Sequence, residues 1–87
     1  MYSVLIVDDF AIDRQNLADA VRSFNTLPLH IIGVCENAYD ALEIIRNMET
    51  DILICDVEMP GMTGIELANT LRAESFRGRI IFCSLYD

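Results

Sequence analysis

Residues 51–67 read DILICDVEMPGMTGIEL and combine three local signals. The apolar run before Asp56 predicts a buried strand that ends at this residue. The Pro-Gly pair that follows predicts a loop. Thr63, with a glutamate three residues later, forms a capping box, which predicts that a helix begins there. The stretch therefore predicts a strand, a loop and a helix in direct succession.

Two more apolar runs of similar length end in oxygen-bearing side chains. Residues 4–7, VLIV, lead into Asp8 and Asp9, and residues 80–83, IIFC, lead into Ser84. Short runs of this kind, bounded by polar residues, are typical of buried strands.

Strands and helices are predicted to alternate along the chain. We expect strands at about residues 3–7, 30–35, 52–56 and 79–84. We expect helices at about residues 12–24, after the N-cap Asn37 and after the N-cap Thr63. This order predicts an α/β fold, a doubly wound parallel sheet with helices on both faces. Because no helix follows the fourth strand, we expect residues 1–87 to be the N-terminal part of one domain, with no second domain.

Each helix has an apolar face that we expect to enter the core. The first helix presents Leu17, Ala20, Val21 and Phe24. The second presents Ala38, Ala41, Leu42, Ile45 and Met48. The third presents Ile65, Ala68 and Leu71, with Leu67 as a further candidate, and Gly78 is expected to stop this helix.

The strand ends predict a binding site. Parallel strands end at the same edge of a sheet, so Asp8, Asp9, Asp56 and Ser84 are expected to converge there. Clustered carboxylates repel one another, which raises their pKa values and costs stability. A hard divalent cation is the usual relief. Taken singly, Asp8 or Asp9 could cap the first helix and Asp56 could cap a loop. It is the combination that favours a site.

Composition narrows the function classes. The net charge of -8 argues against direct binding of nucleic acid or of an anionic membrane. No run is long enough to span a bilayer, and the N-terminus does not resemble a signal peptide, so we expect a cytoplasmic protein. The three cysteines have no metal-site spacing and are expected to be free buried thiols. A redox switch is the alternative.

These motifs resemble the receiver domain of two-component response regulators. The matching stretches are VLIVDD at 4–9, DILICDVEMPGMTGIEL at 51–67 and IIFCS at 80–84, and the resemblance covers the whole chain. It implies the flavodoxin-like receiver fold, with strand order 2-1-3-4-5 in the family. It also implies a signalling domain that phosphorylates itself, with weak autophosphatase activity at most, and not an enzyme that turns over a substrate.

The resemblance also assigns roles to individual residues. Asp56 would accept a phosphoryl group from a sensor histidine kinase. Mg2+ would be bound by Asp56, Asp8, Asp9 and the backbone carbonyl of Glu58, with Asp9 the better candidate for a direct ligand and Asp8 acting through water. Ser84 would contact the phosphoryl group and report its presence.

Further expectations concern the end of the chain. Glu58 and Tyr86 occupy the family positions that flank the phosphoryl group and tune its hydrolysis; a solvated loop residue is the alternative for both. The family's lysine after a fifth strand is not in this sequence, so we expect impaired phosphorylation of this piece. The ending CSLYD resembles receivers fused to AraC-type DNA-binding domains, so DNA would be bound only through a missing effector domain.

We also expect a homodimer. In the receiver architecture, a chain ending at Asp87 leaves the apolar fourth strand as an edge, and such edges recruit other chains. Two copies could pair through this strand and the exposed face of the first helix, or exchange elements in a domain swap.

Two other functions stay open at this point. The chain could be a receiver-like dimerisation or interaction module without phosphotransfer. It could also be an unrelated enzyme with an aspartyl-phosphate intermediate, in which Glu58 would serve as the general acid, although 87 residues leave no room for a cap domain.

Overall fold

The alternation of strands and helices predicted from the sequence is confirmed. The computed structural model describes residues 1–83. Its elements are β1 (Tyr2–Val7), α1 (Ala11–Ser23), β2 (Leu29–Cys35), α2 (Ala38–Asn47), β3 (Ile52–Asp56), α3 (Gly64–Ala73) and β4 (Arg79–Cys83). Within the described residues, no helix is both long and apolar enough to cross a membrane.

The four strands form one parallel sheet in the order β2-β1-β3-β4. The central strand β1 is the most deeply buried, because Val4 to Val7 have no exposed surface. Val7 pairs with Cys55 of β3, so the residues that follow these two positions leave the sheet side by side. This register brings Asp8 next to Asp56.

The helices cover the two faces of the sheet unequally. Helix α1 lies on one face, where its Ala18 packs with Val4 and Ile6. Helices α2 and α3 lie on the other face and share a larger core. That core contains Leu5, Val7, Cys35, Ala38, Ala41, Leu42, Leu53, Cys55, Met59, Leu67 and Leu71.

Two predicted core residues inside helices are instead exposed. In α1 the buried stripe is Leu17, Ala18 and Val21, and Ala20 points outward. In α3 Leu67 is fully buried whereas Ile65 is 47% exposed. A position two residues away on a helix is rotated by about 200°, so Ala18 and Leu67 place Ala20 and Ile65 on the solvent side.

Phe24 and Met48 were also predicted to enter the core, and both are about half exposed. Each is the C-cap residue of its helix and has an extended backbone, with ψ of 117° and 139° respectively. Each helix therefore ends one residue earlier, and helical periodicity does not determine where these two side chains lie.

The predicted helix starts are correct, but one predicted stop is not. Asn37 accepts a hydrogen bond from the Asp40 N–H, and Thr63 forms the complete capping box with Glu66. Helix α3, however, ends at Ala73, before Gly78, and the residue that follows this helix with a positive φ is Ser75 (68°). Gly78 is needed for close packing, because a Cβ there would lie 2.8 Å from the carbonyl oxygen of Thr50.

The burial difference within α3 gives a direct test. Leu67→Ala should lower the free energy of unfolding by about 2–5 kcal/mol, because it opens a cavity in the larger core. Ile65→Ala, the matched control in the same helix, should change it by no more than about 0.5 kcal/mol. Urea unfolding followed by circular dichroism measures both. Equal losses for the two variants would contradict the packing described for α3.

Candidate functional site

Three carboxylates meet at the C-terminal edge of the sheet. One carboxylate oxygen from each of Asp8, Asp9 and Asp56 lies within 4.8 Å of the other two. Asp8 and Asp9 follow β1, whereas Asp56 is the last residue of the neighbouring strand β3. The parallel register of these strands is therefore what assembles the cluster.

Three polar atoms of Asp8 are held by hydrogen bonds. Its N–H donates to the carbonyl of Cys35 at 3.0 Å, and its Oδ1 accepts from the N–H of Phe10 at 3.0 Å. Its carbonyl oxygen accepts from Nη1 of Arg14 at 2.9 Å. The N-cap of α1 is Phe10, which makes no side-chain cap. The alternative that Asp8 or Asp9 is the N-cap residue of this helix is therefore wrong.

Asp9 is held less completely. Its Oδ1 is buried, and among the described residues it has no hydrogen-bond partner. A buried acceptor without a partner costs free energy, and most such atoms in proteins are bound to something. An unpartnered oxygen on a carboxylate that lies beside two others fits a cation, because a positive charge supplies the missing partner and offsets the repulsion while all three groups stay ionised. Oxygen ligands of this kind suit Mg2+ or Ca2+.

Asp56 is 7% exposed, and hydrogen bonding compensates only weakly for the burial of its carboxylate. Its Oδ1 accepts from the N–H of Glu58 at a long 3.4 Å. Burial raises the pKa of Asp56, and the charge of Asp8 raises it further. The Glu58 N–H opposes this rise, and the nearby Asp9 adds to it. The site therefore shifts Asp56 toward its neutral form relative to an aspartate in water, and a bound cation would oppose this shift.

The pKa of Asp8 is also raised, mainly by burial. The hydrogen bond from Phe10 opposes this rise, the charges of Asp13 and Asp9 add to it, and the charge of Arg14 opposes it. Both aspartates with raised pKa values thus belong to the same cluster, which is a feature typical of functional sites.

The predicted free thiols are confirmed for all three cysteines, although Cys83 is only partly buried. Cys55 directly precedes Asp56. Burial, followed by the charge of Asp56, raises the pKa of Cys55 to about 12. This thiol stays protonated at neutral pH and does not compete with the carboxylate as a nucleophile.

Sequence reasoning missed the role of Gly64, the first residue of α3. Its N–H donates to the carbonyl of Val57 at 2.9 Å. A Cβ at this position would lie only 2.1 Å from the carbonyl oxygen of Asp56, so a larger residue would push α3 away from the end of β3. The Thr-Gly pair at the helix start was the available signal, but a close backbone approach is a tertiary feature.

A cavity of about 160 Å³ adjoins the carboxylates on the α1 side. Its lining includes Asp8, Asp56, Leu17 and Cys83. Cys83 pairs with Asp56 across the sheet. Of the other residues predicted for this site, Ser84 and Tyr86 lie outside the described residues. Glu58 is exposed, and its N–H faces Asp56.

Comparisons with known proteins agree with this geometry. Residues 4–87 match the family described as the response regulator receiver domain. The chain is 33% identical over its whole length to the transcriptional regulatory protein BtsR of Salmonella typhi, and equally so to an uncharacterized response regulatory protein of Yersinia pestis. It spans 35% of the length of each, so about a third of these curated relatives.

The fold comparison reaches the same family. The response regulator TrrA of Thermotoga maritima, solved in complex with Mg2+-BeF, superimposes with a TM-score of 0.88 at 30% identity. The match covers 100% of this chain and 72% of the TrrA chain. The family match, the curated relatives and the fold lead to one conclusion: the chain belongs to the response-regulator receiver domains of two-component signalling.

Proposed function

We propose that Asp56 is the phosphoryl acceptor of this chain and that it is phosphorylated by a sensor histidine kinase in the presence of Mg2+. The observation that carries the proposal is the set of three converging carboxylates, with a buried oxygen of Asp9 that lacks a partner among residues 1–83. Asp56 occupies the C-terminal end of β3, next to the two aspartates that follow β1. Its carboxylate is the nucleophile that the site offers.

The transfer needs few groups of the protein. A carboxylate oxygen of Asp56 forms a bond to phosphorus while the phosphorus–nitrogen bond of the kinase phosphohistidine breaks, which yields an acyl phosphate and a free histidine. Bound Mg2+ would neutralise charge on the phosphoryl oxygens. Asp56 must be ionised to react, and its raised pKa works against this until a cation is bound.

The metal ligands in this proposal are Asp9 directly, Asp8 through water, Asp56, and the backbone carbonyl of Glu58. The different tethering of Asp8 and Asp9 supports this division, because the free oxygen belongs to Asp9. Contact of Ser84 with the phosphoryl group, and tuning of hydrolysis by Glu58 and Tyr86, stay predictions.

The partners and the parent protein also stay predictions. These are the homodimer, with or without a domain swap, the AraC-type parent that binds DNA through another domain, and the cytoplasmic location. BtsR carries the name of a transcriptional regulator, and a similar role of the whole protein is a proposal. We further propose that the chain signals by its own phosphorylation and does not turn over a substrate.

Magnesium binding is the first test. In an NMR titration with MgCl2, amides around Asp8, Asp9 and Asp56 should shift, with weak affinity because few protein ligands hold a hydrated Mg2+. The Asp9→Ala, Asp56→Ala double variant should lose these shifts. The matched control is Asp19→Ala, which removes an exposed carboxylate of α1. Shifts that survive in the double variant would show that the metal binds elsewhere.

Acetyl phosphate tests the acceptor. Incubation with acetyl phosphate and Mg2+, followed by intact-mass spectrometry, should add the mass of one phosphoryl group. Asp56→Asn should abolish the labelling because it removes the nucleophilic carboxylate, and Asp19→Asn should leave it unchanged. Persistent labelling of Asp56→Asn would overturn the assignment. Magnesium binding without any labelling would favour an interaction module.

Stability should depend on pH because of the raised pKa values of Asp8 and Asp56. The folded metal-free protein holds these protons to higher pH than the unfolded chain. Its free energy of unfolding therefore falls as pH rises from the usual aspartate range through the raised pKa values. At neutral pH, Asp56→Asn should raise it by roughly 1–3 kcal/mol, the Coulomb energy of one such charge pair.

Urea unfolding at neutral and acidic pH, with and without Mg2+, measures this effect. The advantage of Asp56→Asn should shrink at acidic pH, where the wild-type carboxylates are protonated. Mg2+ should stabilise the wild type and not the variant. If Asp56→Asn is less stable than the metal-free wild type at neutral pH, other interactions of the Asp56 carboxylate outweigh the repulsion within the cluster.

A further inference from the structure

Arg14 differs from the salt-bridged arginines of the described chain. It lies one turn into α1, is partly buried, and takes part in no salt bridge within residues 1–83, whereas Arg22 and Arg46 each pair with a carboxylate. Its side-chain hydrogen bond runs from Nη1 to the carbonyl oxygen of Asp8, at 2.9 Å and six residues back along the chain. A partly buried guanidinium is thus directed at the backbone of the site.

This contact completes the tethering of the turn between β1 and α1. Asp8 is fixed at its N–H by Cys35 and at its side chain by Phe10, and Arg14 fixes its carbonyl. The carbonyl of Asp8 belongs to the peptide group that links it to Asp9. Its orientation therefore helps to set the direction in which the Asp9 side chain leaves the backbone.

We propose that Arg14 is a positioning residue, whose guanidinium holds the peptide between Asp8 and Asp9 so that the Asp9 carboxylate is kept in the cluster. The inference rests on the proposed function, because it concerns the same Mg2+ site. Arg14 touches neither the metal nor the phosphoryl group in this proposal and acts only through the backbone of Asp8.

Two effects of Arg14 on Mg2+ binding have opposite signs, and this makes the proposal testable. Its positive charge repels a cation, so a purely electrostatic role predicts tighter Mg2+ binding when the charge is removed. Its hydrogen bond orders the turn, so a positioning role predicts weaker binding. Loss of an outer partner of a metal site typically costs about tenfold or more in affinity.

The variants are Arg14→Gln, which removes the charge and shortens the donor, and Arg14→Lys, which keeps a charged donor. Arg22→Gln is the matched control, because Arg22 lies on the same helix and is exposed. In NMR titrations with Mg2+ alone, Arg14→Gln should bind about tenfold more weakly than wild type. Arg14→Lys should recover affinity to within about threefold, and Arg22→Gln should match wild type.

A metal-free measurement tests positioning independently of the proposed function. The N–H of Phe10 bonds to Asp8 and reports the order of the turn. Its hydrogen exchange should be about tenfold faster in Arg14→Gln, as expected for loss of one charge-assisted hydrogen bond, and unchanged in Arg22→Gln. If wild type binds no Mg2+, the proposed function fails, and this exchange rate still decides whether Arg14 orders the turn.

Several outcomes would overturn the proposal. If Arg14→Gln binds Mg2+ more tightly than wild type, the charge of Arg14 dominates. If it binds Mg2+ as tightly as wild type, the contact is irrelevant to binding. Arg14→Gln that unfolds at lower urea concentration but keeps wild-type affinity and Phe10 exchange would show a merely structural role. Arg14→Lys that binds no better than Arg14→Gln would show that a donor at this position is not what matters.

Discussion

The parallel pairing of β1 with β3 is the constraint on which the site depends. Because Val7 lies opposite Cys55, the chain leaves the sheet at Asp8 and Asp56 on adjacent strands and in the same direction. Neither carboxylate can move away without breaking strands whose apolar side chains fill the core. The hydrophobic effect, summed over the buried side chains of these strands, thus holds together charges that repel one another.

Holding these carboxylates together consequently lowers the stability of the fold. Burial and like charges both favour the neutral carboxyl groups of Asp8 and Asp56. Protonation of these carboxyl groups would relieve the repulsion, but in the proposed function it would also remove the nucleophile. A bound cation would relieve it while keeping Asp56 ionised, so in the proposed function metal binding and reactivity depend on the same electrostatics. In the proposed function, the cost of the metal-free state would favour the binding of a small dication.

Short patterns in the sequence correctly predicted the strands and two helix starts, because residues close together in the sequence determine these features. The apolar runs indicated the strands, Asn37 and the Thr63 capping box indicated two helix starts, and the shared edge of a parallel sheet predicted the converging aspartates. Predictions failed where a side chain's environment depends on how a helix is rotated against the sheet, as for Ala20 and Ile65. Gly64 and Arg14 were missed because their partners are backbone atoms, which a sequence pattern does not display.

The different surroundings of Asp8 and Asp9 show how adjacent identical residues acquire different chemistry. Asp8 is tethered at its N–H, carbonyl and side chain, so part of its acceptor capacity is already used within the protein. The buried Oδ1 of Asp9 has no such partner in the described chain. A cation entering the site gains more from an oxygen that has lost its water without replacement than from one already bonded to an N–H. In the proposed function, the hydrogen-bonded turn at Asp8 would help the free oxygen of Asp9 to act as a ligand, because a ligand group is effective only when its backbone is held in place.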